Sequence, residues 1–254
     1  KKENLKAMVN LYNLEIKEEK YNEALKIINK VLQLNSNLDF VTKDKAFVFF
    51  KLNKINEAKS ICNSLLKNDE KNIDLLNILG LCYSIEESTD KAINIFNQIL
   101  TYDENNVAAL NSLGRINHEK RNSANAEKFF LKALRINPAS YQVLNNIAGF
   151  YREEGNYKKS IDLYLKALKL NPNNSYILNN LAKSYFDIND FGSSESYALK
   201  ALDLNKFDGN IKKILSFIYL RKQNYKKGWL YFDGRLNNLD FIEKNISNPE
   251  LQNK

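Results

Sequence analysis

Lys132-Ala133-Leu134-Arg135-Ile136-Asn137-Pro138 returns 34 residues later as Lys166-Ala167-Leu168-Lys169-Leu170-Asn171-Pro172. Extending that period in both directions gives segments beginning at Leu5, Asp39, Ile73, Val107, Tyr141, Ser175 and Gly209, with no insertion anywhere. One column of the resulting alignment is leucine throughout: Leu32, Leu66, Leu100, Leu134, Leu168, Leu202 and Leu236. Self-similarity at such a period marks an array in which each unit buries its apolar face against the next.

Two further columns take small residues. Ala24, Ala58, Ala92, Ala126, Ser160, Ser194 and Gly228 form one; Tyr12, Ala46, Gly80, Gly114, Ala148, Ala182 and Ser216 form the other. Small side chains at fixed positions let two helices approach closely. A third column is aromatic at Phe49, Tyr83, Tyr151, Tyr185 and Tyr219, with Glu15 and Asn117 interrupting it. Within 141–174, Leu144, Ile147, Ala148 and Tyr151 recur at i, i+3, i+4, i+7 and line one helical face. Gly155-Asn156 breaks that helix. Tyr157, Ile161, Tyr164, Ala167 and Leu168 line a second, which ends at Asn171-Pro172 because proline cannot continue the ladder.

Composition agrees. The chain of 254 residues holds only 3 prolines and 8 glycines, too few for the many tight turns of a β-sandwich or barrel. With 44% hydrophobic and 27% charged residues it can bury a core. The longest apolar run, Ala46-Phe47-Val48-Phe49-Phe50, falls far short of the about 20 residues a membrane helix needs. No apolar stretch of a signal peptide follows Lys1, and the expected location is cytoplasmic. The net charge is +8, and 39 residues are asparagine, a bias consistent with AT-rich coding. Cys62, Cys82 and the single histidine, His118, cannot supply four His/Cys ligands to zinc, and no metal or cofactor is expected. No Gly-rich phosphate loop and no nucleophile–base spacing is present, so no catalytic residue is assigned.

The run Leu144…Ile147-Ala148…Tyr151…Gly155-Asn156-Tyr157…Ser160…Tyr164…Ala167-Leu168…Pro172 resembles the tetratricopeptide repeat, at that family's spacings. The resemblance covers about 5–242. It implies an all-α, right-handed superhelical solenoid of helix-turn-helix repeats at 5–38, 39–72, 73–106, 107–140, 141–174, 175–208 and a degenerate 209–242, with 243–254 as a tail or linker. It also implies that the first helix of each repeat lines a concave groove that takes a protein or an extended peptide.

On those first helices Asn77, Asn111, Asn145 and Asn179 occupy one column in four consecutive repeats, and Asn146 and Asn180 follow in the next. An amide both donates and accepts, so such a ladder can hold a peptide backbone irrespective of its sequence. The protein O-linked N-acetylglucosamine transferases are similar, holding peptide with asparagines at the place of Asn146 and Asn180. Arg115, Arg152, Tyr176, Lys183 and Phe186 are further groove candidates. Lys43 is followed four residues later by Phe47 rather than asparagine, which argues against the chaperone-tail clamp of some relatives.

The stretch Gly228-Trp229-Leu230-Tyr231-Phe232-Asp233-Gly234-Arg235 resembles the close of repeat arrays that precede a bacterial glycosyltransferase domain, with Gly234 in place of an aromatic. That resemblance implies the substrate-recruiting region of a larger enzyme whose catalytic domain would follow residue 254. Lys212, Lys213, Arg221, Lys222, Lys226 and Lys227 fall between Gly209 and Phe232 without an acid, a candidate basic face. Tyr219, Trp229 and Phe232 stand at core spacings. Two other readings remain open: a standalone assembly scaffold or co-chaperone-like adaptor, and a basic helical repeat that binds RNA or another polyanion.

Overall fold

The computed structural model describes residues 2–234. They form fourteen helices: α1 (Lys2–Lys17), α2 (Tyr21–Leu34), α3 (Asp39–Lys51), α4 (Ile55–Leu66), α5 (Ile73–Ile85), α6 (Thr89–Tyr102), α7 (Val107–Glu119), α8 (Ser123–Ile136), α9 (Tyr141–Glu153), α10 (Tyr157–Leu170), α11 (Ser175–Asp187), α12 (Phe191–Leu204), α13 (Gly209–Arg221) and α14 (Tyr225–Gly234). No strand occurs among the described residues. Leu236 of the leucine column, Arg235 and the segment 243–254 lie outside them.

The turn inside each helix pair is the same object seven times. Glu19, Asn53, Glu87, Arg121, Asn189 and Gln223 take φ between 57° and 61°, and Gly155 takes 78°, all in the left-handed region. In the fifth pair the Gly155 N–H donates to the Arg152 carbonyl at 3.1 Å, and the Asn156 N–H donates to the Tyr151 carbonyl at 2.8 Å. That is the Schellman closure, in which a left-handed residue lets two amides reach back to the last turn. The Asn224 N–H to Tyr219 and Lys54 N–H to Phe49 bonds, each 2.8 Å, repeat it. The aromatic column is therefore the residue whose carbonyl closes the first helix.

The residue that completes this closure also opens the second helix. Asn156 Oδ1 accepts from the Lys159 N–H at 3.3 Å, and Asp190 Oδ1 from the Ser193 N–H at 3.0 Å. Asn122 and Asn224 accept from Asn125 and Lys227 in the same way. First helices are capped 34 residues apart by Asn72, Asn106, Ser140, Asn174 and Asp208, each accepting from an N–H three residues on. Each such cap stabilises its helix by roughly 1 kcal/mol. Part of the asparagine excess thus has a structural cause beyond coding bias.

The chain divides into two units, Lys1–Ala133 and Leu134–Lys254, with the division inside α8. In the first unit the core runs as successive clusters that each join neighbouring pairs. One gathers Tyr12, Ala24, Ile28, Val31, Val41 and Val48; the next gathers Ala46, Ala58, Cys62, Leu75, Ile78, Leu79 and Cys82; a third is built on Leu76, Phe96, Ile99, Leu113 and Ile116. Nearest-neighbour burial of this kind is how a repeat array holds together. The small columns are the contact points. A Cβ on Gly80 would lie 2.8 Å from the Phe96 ring, and one on Gly114 2.6 Å from the Phe130 ring. Tyr12, at a small-residue position, is fully buried and donates its hydroxyl to Asp44 Oδ2 at 2.8 Å, tying α1 to α3.

In the second unit Leu178, Ala182, Ala198, Ala201, Ile211, Leu215 and Ile218 form the corresponding cluster. At two of the serines that replace alanine the hydroxyl is satisfied, while Ser216 Oγ is buried without a partner. Ser160 Oγ and Ser184 Oγ are 3.1 Å apart, and Ser194 donates to the Ala182 carbonyl at 2.8 Å. First helices also touch the first helices of the next pair: α3 meets α5 and α5 meets α7 in the first unit, and α9 meets α11 and α11 meets α13 in the second. No helix among the described residues is long and apolar enough to cross a membrane.

Candidate peptide-binding surface

The asparagines sit at different depths. In the first unit Asn77 and Asn111 are half-buried on α5 and α7. Asn77 borders a cavity of about 310 Å³ that α3 and α5 form with Lys43, Asp44, Phe47, Asp74, Ile78 and Leu81. Lys43 pairs with Asp74 at 2.6 Å there. Arg115 pairs with Glu119 one turn further along α7, so its charge is spent locally.

In the second unit Asn145 and Asn179 are 8% and 3% exposed, deeper than a column of presented amides requires. Asn146 and Asn180 are half-buried and nearer the surface. The Asn180 amide donates to Asn145 Oδ1 at 3.4 Å, and the Asn145 amide donates to Asn146 Oδ1 at 3.3 Å. These bonds are long, near the limit at which an amide bond still stabilises. Asn179 Oδ1 is buried without a hydrogen-bond partner. Tyr176, 63% exposed, stands at the start of α11.

Beside this group α9, α11 and α13 enclose a cavity of about 300 Å³. Arg152, Lys183, Lys213, Asp187 and Asn210 supply its polar lining, and Phe186, Ile214 and Phe217 its apolar walls. Arg152 donates to Asp187 Oδ2 at 3.3 Å. Burial, and after it the Arg152 guanidinium, lowers the Lys183 pKa below the ordinary ammonium value. Burial raises the Asp187 carboxyl although Arg152 and Lys183 pull the other way. The positive charge gathered here exceeds what the single lining carboxylate offsets.

The basic face is not one face. Lys212 is 4% exposed, with its side chain turned inward, because consecutive residues on a helix point about 100° apart. Lys213 instead lines the cavity. Arg221, Lys222, Lys226 and Lys227 are exposed. Lys222 pairs with Glu195, and the Lys227 ammonium lies 5.1 Å from the centre of the Tyr219 ring. Tyr219 is buried as its spacing suggests, whereas Trp229 is 55% exposed and meets Phe232 edge-on at 5.4 Å. Among the described residues, then, the sequence pattern places Tyr219 correctly and Trp229 wrongly.

Asp187, Asn210, Ile214 and Phe217 escape a reading by columns. Asn210, Lys213, Ile214 and Phe217 do share one face of α13 at i, i+3, i+4, i+7, and that periodicity was the available signal. Cys62 and Cys82 are buried. Burial pushes their thiols up to about 12 and about 11.

Family models cover most of the chain. One described as "Psidin, N-terminal TPR repeats region" matches residues 6–114, one described as "Tetratricopeptide repeat" matches 107–140 and 175–208, and one described as "TPR repeat" matches 150–189. No curated protein matches the sequence. Solved structures share the fold. A tetratricopeptide repeat protein from Parabacteroides merdae is 19% identical over 95% of this chain and 97% of that one, with a TM-score of 0.65. PilW, a type IV pilus biogenesis factor, is 18% identical over 85% and 97%, with a TM-score of 0.70. Pseudomonas aeruginosa pilF is 23% identical over 66% and 77%, with a TM-score of 0.61. With helix pairs recurring every 34 residues and these matches along its length, the chain belongs to the tetratricopeptide repeat proteins, which are protein-interaction scaffolds.

Proposed function

We propose that the first helices of the second unit, α9, α11 and α13, hold an extended peptide segment of a protein partner. The observation that carries this is the amide group Asn145, Asn146, Asn179 and Asn180. Two bonds within it are 3.3 and 3.4 Å long, and Asn179 Oδ1 has no partner. A peptide backbone that meets Asn146 and Asn180 at the surface can exchange for such weak bonds at little loss. Each exchanged bond contributes about 0.5–1.5 kcal/mol, which after ordering costs gives affinities around micromolar. Peptide display against the full chain, with hits measured by calorimetry, tests this. Asn146→Ala with Asn180→Ala is expected to weaken the hits about tenfold, and unchanged affinity would refute the amide role.

The finer reading is that the array recruits substrate for a glycosyltransferase-type catalytic domain in the same polypeptide. Gly228, Trp229, Phe232 and Asp233 carry its motif, and Arg235 lies outside the described residues. The exposed indole of Trp229, beside Tyr225 at 60% exposure, supports it, since a following domain needs apolar surface to dock on. Reading the gene beyond Lys254 decides: a continuing frame with a transferase fold supports the association, and an early stop overturns it.

A further inference from the structure

Resting on the peptide-groove reading, we infer that the cavity between α9, α11 and α13 is a subsite for an acidic side chain within a bound peptide, accompanied by a large apolar side chain next to it.

The lining sorts into two halves. Arg152, Lys183 and Lys213 bring three cationic groups against one carboxylate, Asp187. Arg152 already holds Asp187 at 3.3 Å, which leaves the two lysines to meet an incoming anion. Phe186, Ile214 and Phe217 form the other half. The volume, about 300 Å³, suits one carboxylate with part of a neighbouring aliphatic or aromatic side chain. Apolar walls disfavour a heavily hydrated polyanion, because its water would have to be stripped without replacement.

The electrostatics point the same way. Lys183 is pressed toward its neutral form by burial and by the like charge of Arg152. An anion entering the cavity relieves Lys183, so binding energy comes from charge already assembled before the ligand arrives. Asp208, whose charge also reaches Lys183, is occupied in capping α13 through the amides of Asn210 and Ile211 at 2.7 and 3.3 Å. Asn210, exposed at the rim, can add an amide hydrogen bond.

The test uses the full chain and two N-acetylated, C-amidated peptides, Gly-Leu-Glu-Phe-Gly and Gly-Leu-Gln-Phe-Gly, titrated at fixed ionic strength and read by NMR shifts of α11 and α13 amides. The Glu peptide is expected to bind at least tenfold more tightly than the Gln peptide and to raise the Lys183 pKa. Lys183→Met with Lys213→Met should erase that tenfold preference, and Lys226→Met should leave it intact. Equal binding of both peptides at α11 and α13 overturns the acidic subsite and leaves the groove standing. Absence of binding by either overturns the subsite, while the groove is judged separately by the Asn146/Asn180 variants. Displacement of the peptide by a short oligonucleotide, with affinity falling steeply between 50 and 200 mM salt, would assign the cavity to phosphate and overturn the proposal.

Discussion

Replacing Gly114 by alanine adds one methyl where α7 meets α8. The new Cβ would stand 2.6, 2.7 and 3.0 Å from Cδ1, Cε1 and Cγ of Phe130. Cγ lies near the stem of the ring, so a small rotation does not clear it, and Phe130, 1% exposed, is packed inside the core rather than at its edge. Overpacking of this kind costs about 1–3 kcal/mol. Alanine returns up to about 1 kcal/mol through helix propensity. The net expectation is a loss of about 1–2 kcal/mol. Because a repeat array is stabilised by neighbour terms, the loss should appear first in α7 and α8, as amide exchange about 5–30-fold faster. Gly149→Ala is the control: its Cβ would meet only the Tyr164 hydroxyl, at 3.3 Å, so propensity should win and the protein should gain stability. Phe130→Leu combined with Gly114→Ala should cost less than the sum of the two, since each relieves the other's misfit. Urea unfolding followed by circular dichroism measures all four. A Gly114→Ala protein as stable as the parent, or a Gly149→Ala protein equally damaged, would refute the close-approach argument.

Arg121→Gly should raise stability by about 0.5–1 kcal/mol in urea titrations, because the left-handed conformation at φ 61° strains an arginine more than the added chain entropy of glycine costs. Asn189→Gly, at the same φ, should gain less, since asparagine tolerates that region; a loss at Arg121 would show that its backbone is not strained. Thiol labelling at pH 8 should modify neither Cys62 nor Cys82 in the folded chain and both in urea, given thiols raised from 9.0 to about 12 and about 11 by burial. Here the folded state keeps its protons longer than the unfolded chain, so stability should fall as pH climbs from about 9 toward 11. Native labelling at the unfolded rate would show the pair to be accessible.

The period, the helix pairs and the tight helix contacts were legible because each rests on local rules repeated along the chain. Gly80 and Gly114 sit in a column that only small side chains fill, and both touch a buried phenylalanine. The left-handed turns were legible at Gly155, where the residue announces the backbone, and more faintly at Asn53 and Asn189. At Glu87 or Arg121 the two closing hydrogen bonds override residue preference, and nothing in the side chain marks it. Arg152, Lys183 and Lys213 come from three different columns, so aligning repeats separates what stacking brings together. Lys212 and Lys213 fail in the opposite sense: adjacent in sequence, they part by a third of a helical turn, one into the interior and one into the cavity. Trp229 has core spacing on α14, but α14 packs chiefly on α13, and that face has no described neighbour to bury it.

Asn156 closes α9 with its amide and opens α10 with its side chain, and Asn122, Asp190 and Asn224 do the same at their own inner turns. Two helices that share a hinge residue have no slack between them. An inserted or deleted residue there would break a closure and a cap together and turn every later side chain by about 100° against its neighbours. The chain can therefore change its length only by whole modules. Duplication or loss of 34-residue blocks preserves every joint, whereas single-residue drift is filtered out at each turn. A lineage of such proteins would vary in how many modules it carries far more readily than in the size of any one.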